Sequence, residues 1–113
     1  MLTMVTLIFL DGLPEVQVSG LEQFYKTHQE IHISWLPLAT TITEDLIGYY
    51  VKIWLHKQDG RFVVGSSVVG ESVPLAVNRF RFSSLESNSI YKVSVSVENS
   101  RGKGQETIIG LYF

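Results

Sequence analysis

Apolar and polar residues alternate along most of this chain with a period of two, the pattern of strands buried on one face. Val16-Gln-Val18 follows Pro14 and stops near Gly20. Glu30-Ile31-His32-Ile33-Ser34-Trp35 alternates until Pro37, which cannot donate to a ladder and closes the strand. Ile47 to Leu55 places Tyr49, Val51, Ile53 and Leu55 on one face. The pair Asp59-Gly60 predicts a tight hairpin, because that turn needs positive φ at both centres, with Arg61 to Gly65 returning as the partner strand. Arg79-Phe80-Arg81-Phe82 alternates again, and Ile90 to Val97 is the clearest strand of all. Asn99 to Gly104 reads as a turn, and Thr107 to Phe113 as a final β-branched and aromatic strand. No window of helical length carries a 3.6-residue period. Seven or eight short strands between turn signals predict an all-β sandwich or barrel.

Strand parity names the inner face. It comprises Val16, Val18, Ile31, Ile33, Trp35, Tyr49, Val51, Ile53, Phe80, Phe82, Leu85, Tyr91, Val93, Val95 and Val97. Aromatic rings among them suit the gap of about 10 Å between two packed sheets.

Composition adds little. The 113 residues make one domain, large enough to form a core without staples. A net charge of −2 argues against a phosphate-binding stripe, so no nucleic-acid partner is expected. The absence of cysteine removes disulfides, thiolate zinc sites and cysteine nucleophiles together. The opening Met1 to Leu10 is too short to span a bilayer and lacks the basic start and cleavage site of a secretory signal. It reads as a short β-like segment ahead of the domain, with no direct membrane insertion.

The order and spacing of several motifs resemble the fibronectin type III family. Ile31-x-Ile33-x-Trp35-x-Pro37 resembles its second strand with the core tryptophan, and Ile47-Gly48-Tyr49-Tyr50-Val51 the start of its third. Leu85, Tyr91, Val93, Val95, Val97, Asn99 and Gly102 resemble its tyrosine corner, sixth strand and following turn. The likeness covers about residues 14 to 112. It implies an immunoglobulin-like β-sandwich of seven strands in two antiparallel sheets over 14–113, with residues 1–13 as a linker or an extra N-terminal strand. It also implies that Trp35, Tyr49, Leu85 and Tyr91 are structural core, with the Tyr91 hydroxyl bonded to upstream backbone. The chain departs from the family in a longer connection from Leu21 to Gln29. It has no Arg-Gly-Asp, its turn carrying Arg101-Gly102-Lys103 instead, and no paired tryptophan-serine motif of the cytokine receptors.

Candidate chemistry is sparse. If His28 and His32 are both in extended chain they stand about 13 Å apart, too far to share an ion. His56 ends the third strand beside a lysine. These histidines read as surface residues, and Ser34, Ser94 and Ser96 as outward strand residues with no base or acid to activate them. Glu44-Asp45 is too small an acidic pair for calcium. No phosphate-cradling glycine loop occurs, and no cofactor, metal or catalytic residue is expected. Arg79 and Arg81 point outward together and read as a solvated face.

Parity counted from Tyr49 sends Tyr50, Lys52, Trp54 and His56 outward, next to Lys92, Ser94, Ser96 and Glu98 of the sixth strand. Tyrosine and tryptophan dominate binding hot spots, so Tyr50, Lys52, Trp54 and Lys92 are the candidate protein-binding residues. The opposing reading covers Trp54 with the last strand, a loop or residues 2–10. The function expected is a non-catalytic interaction or spacer module from a larger receptor- or adhesion-type protein. The alternatives are a structural module that dimerises through residues 2–10 and an intracellular scaffold domain. Family analogy favours an extracellular or cell-surface setting.

Overall fold

The computed structural model describes residues 12–39 and 45–113. Nine strand segments carry the fold: β1 Glu22–Lys26, β2 Ile31–Ser34, β3 Gly48–Gln58, β4 Arg61–Phe62, β5 Val69–Pro74, β6 Arg79–Phe82, β7 Ser89–Asn99, β8 Gly102–Lys103 and β9 Thr107–Tyr112. One sheet has the order β1-β2-β6. In the other, β4 and β5 share one edge of β3, β7 takes the opposite edge, and β8 and β9 share the far edge of β7. Every pairing is antiparallel, so the segments trace the three and four lanes of an immunoglobulin-like sandwich.

Between the sheets lie Ile31, Ile33, Val93, Val95 and Val97, each fully buried, with Tyr49, Val51, Trp35 and Phe82 around them. The Trp35 and Tyr49 rings meet edge to face with centroids 5.1 Å apart, a geometry the ring quadrupoles favour. Asn78 holds both residues: its carbonyl accepts from the Trp35 backbone N–H, and its side-chain amide donates to the Tyr49 hydroxyl at 3.1 Å. Gly48 admits β5 closely, since a Cβ there would collide with the Val73 carbonyl oxygen. The Tyr91 hydroxyl accepts the Glu86 backbone N–H at 2.9 Å, which ties the start of β7 to the corner before it. Val16, Phe80 and Leu85 are only partly buried, whereas Val73 and Leu111 join the core.

Three expectations need correction. Val16 to Val18 forms no ladder. Val18 is buried, yet its carbonyl accepts from the Thr107 hydroxyl, and the Ser19 carbonyl accepts from the Leu36 N–H. Alternation there reports side-chain burial and not strand pairing. The supposed long connection from Leu21 to Gln29 instead contains β1, whose residues are all exposed and so show no alternation. It pairs with β2 through a bulge at Phe24, and His28 falls in the turn that follows rather than in extended chain.

The partner of the Asp59-Gly60 turn is likewise short. Asp59 and Gly60 have the positive φ values, 52° and 80°, that the turn requires, but β4 ends at Phe62 and its lane resumes only at Val69. Five of the six β5 residues are exposed, which hid this strand from the pattern. Residues 1–11, including the segment expected to add a strand or a dimer contact, lie outside the described residues.

Tyr91→Phe should lower stability by about 1–3 kcal/mol, because the Glu86 N–H is left without its acceptor. Trp35→Ala should cost more, roughly 3–5 kcal/mol, through the cavity it opens. Urea midpoints of the two variants test both values and their order.

Candidate protein-binding faces

The outward side of the larger sheet is set by register. Lys52 stands opposite Ser94, which stands opposite Ile108; Trp54 stands opposite Lys92, which stands opposite Gly110. Lys52, Trp54 and Lys92 are thereby brought together, whereas Tyr50 sits further along, opposite Ser96. All four expected residues are half-buried. Trp54 is thus neither free nor covered by its own chain. Its ring lies 5.7 Å from Lys52 Nζ, and the Tyr50 ring lies 4.1 Å from Lys103 Nζ. Tyr50 also spreads over Gly70, leaving no room for a side chain there.

Lys52 is held by an ion pair with Glu106, whose Oε2 also accepts the Ser94 hydroxyl at 2.7 Å. The lysine and the hydroxyl hold the Glu106 carboxyl below its usual value of 4.5. Ser94 and Ser96 do point away from the core, but neighbours bury them to 1% and 2% exposure.

Two residues missed in the sequence enlarge this face. Ile108 is 48% exposed and Tyr112 is 73% exposed, both on the outward side of β9 beside Lys92. The run Thr107-Ile-Ile-Gly-Leu-Tyr-Phe gives no parity of its own; only pairing with β7 assigns its sides.

The smaller sheet has its own outward cluster. Register aligns Tyr25 with His32 and Arg81, and Ser34 with Arg79. The bulge leaves both Phe24 and Tyr25 exposed, their rings edge-on to His32 with centroids at 5.8 and 4.9 Å. Arg79 lies over the Phe24 ring, and His32 bonds Glu30 at 3.1 Å. Arg79 and Arg81 are exposed, and aromatic neighbours stand beside them that the sequence pattern did not show. His56 packs on Phe62 instead of joining the other histidines. Among the described residues no three metal-ligating side chains converge, and no helix is long and apolar enough to cross a membrane. Asp45 is exposed, and Glu44 lies outside the described residues.

The family model described as the Fibronectin type III domain matches residues 16–109. Among solved structures, the third fibronectin III domain of human KIAA0343 protein is 19% identical with a TM-score of 0.69, covering 88% of this chain and 82% of that one. The fn3 domain of human contactin 1 is 18% identical with a TM-score of 0.66, covering 88% and 77%. That of human collagen alpha-1(XX) chain is 18% identical with a TM-score of 0.63, covering 87% and 84%. No curated protein sequence matches.

Because the Glu106 pKa is lowered in the fold, its contribution is present above the unfolded value and lost as pH falls through the folded one. Glu106→Gln should therefore be less stable than the parent at neutral pH, by a modest amount for so exposed a pair. The gap should close as pH drops below the ordinary glutamate range. Thermal melts of both proteins from neutral pH to acid check this.

Proposed function

The chain belongs to the fibronectin type III family, and from that premise we propose that it serves as a non-catalytic protein-interaction module. Its setting is a larger receptor- or adhesion-type protein at or outside the cell surface, as is usual for a family that is generally non-enzymatic. The contact face is the outward side of β3, β7 and β9, with Trp54, Lys92, Ile108 and Tyr112 at its centre and Lys52 and Tyr50 along its flank.

One observation carries this reading. Tyr112 and Ile108 remain 73% and 48% exposed next to a half-buried tryptophan and lysine, on a sheet where Lys52 is ion-paired and Lys103 covers the Tyr50 ring. An exposed tyrosine, a tryptophan and a charged rim are the composition of a small binding centre. Gly110 leaves the middle of that centre open, with no atom near the position a Cβ would take.

A photo-crosslinking residue in place of Tyr112 should capture a defined partner in cells that make the parent protein, and one in place of Ser87 should not. Trp54→Ala should lower partner affinity by about 2 kcal/mol or more while leaving the melting midpoint nearly unchanged. Equal capture from both positions would sink the assignment. So would a Trp54→Ala variant as unstable as a core mutant.

A further inference from the structure

β6 is a free edge. It pairs with β2 on one side only, and the larger sheet does not reach it on the other. A free edge offers unpaired N–H and C=O groups to any extended chain that can lie along it. Its two sides differ in chemistry. Phe80 and Phe82 face a recess of about 460 Å³ between the sheets, whose apolar walls include Ile53, Leu55, Val69 and Leu85. Arg79 and Arg81 stand on the outward side, beside the Phe24 and His32 rings, where a second recess opens; Arg81 also borders the first recess, and Phe80 the second. Neither arginine forms an ion pair with a described residue. Glu71 lines both recesses from β5 and offsets part of the charge without meeting either guanidinium.

We propose that β6 accepts an extended peptide segment of another protein, one whose residues alternate between apolar and acidic. Antiparallel or parallel addition places successive side chains of the incoming strand on opposite faces. Its apolar residues enter the recess beside Phe80 and Phe82, and its carboxylates meet Arg79 and Arg81. Guanidinium groups bind carboxylates in a fork geometry that favours this match. The chain's own opening does not carry the alternating charge, since Asp11 is the one acidic residue in 1–11. The recess shares Trp54 with the β3–β7–β9 face, but the β6 edge and its two arginines belong to this site alone, so shifts at the β6 amides distinguish the two.

The test is an NMR titration of the full chain with a capped peptide of about eight residues alternating valine and glutamate. The backbone amides of Arg79 to Phe82 should shift, and the effect should weaken as salt rises. A valine–lysine counterpart should leave them unmoved, and a central proline in the glutamate peptide should abolish binding by removing a donor. The double variant Arg79→Glu, Arg81→Glu should bind the glutamate peptide at least tenfold more weakly, about 1.4 kcal/mol, with an unchanged melting midpoint. Should that variant fail to fold, the peptide comparisons on the parent chain still decide. Unmoved β6 amides, equal response to the lysine or proline peptide, or the same shifts with inorganic sulfate alone would each overturn strand addition.

Discussion

The pairing of β3 with β7 is the constraint on which the rest of the structure depends. Both strands are eleven residues long, and they stay in antiparallel register from Gly48–Glu98 to Gln58–Ser89 with one irregularity near His56. One side of that ladder presents Tyr49, Val51, Val93, Val95 and Val97 to the core. The other side presents Lys52, Trp54 and Lys92. Because side chains alternate strictly, a slip of one residue would exchange these sets and bury the lysines. The core and the candidate contact face are therefore two consequences of one register. The smaller sheet is then located by the Trp35–Tyr49 contact, with Asn78 bonding a residue on each side of the sandwich.

How much of this was legible follows from where burial lies. Strands with one buried side, such as Ile31 to Ser34 and Ile90 to Val97, announce themselves by alternation. β1 and β5 are edge strands with nearly every residue exposed, so they leave no hydrophobic period to read. The opposite error arose at Val16 to Val18, where burial alternates without a ladder. The candidate face divided in the same way. Parity from Tyr49 located Lys52 and Trp54, but Ile108 and Tyr112 lie in a run that is apolar on both sides and needed the β7 register. Phe24 and Tyr25 required a bulge, which depends on tertiary pairing and has no period at all.

The two sheet faces suit different kinds of contact. On the larger sheet Lys52 is paired with Glu106 and Lys103 lies over the Tyr50 ring, while Tyr112 and Ile108 stay exposed beside Lys92. Ordered side chains lose little entropy when a partner docks, which favours recognition of a preformed surface. On the smaller sheet Arg79 and Arg81 form no ion pair with a described carboxylate and flank the β6 edge. The two proposed contacts would thus differ in kind, one a side-chain surface and the other a backbone edge.

The tether between residues 14–20 and the body of the domain bears on how the module would carry tension. From Gln17 to Ser19 that segment lies outside the strands, and its bonds go to separate places: Val18 to the Thr107 hydroxyl, Ser19 to the Leu36 amide, and the Gln17 side chain to the Glu106 carbonyl. The last strand, in contrast, is zipped to β7 over six consecutive pairs, from Val95–Thr107 to Ile90–Tyr112. A load applied through the two ends would therefore meet unequal resistance. From Gln17 to Ser19 the load would meet scattered single bonds, whereas the trailing strand would have to shear a whole row together. In a string of such domains the leading segment would act as a compliant spring in series with a stiff body, lengthening the chain while the binding faces stayed folded.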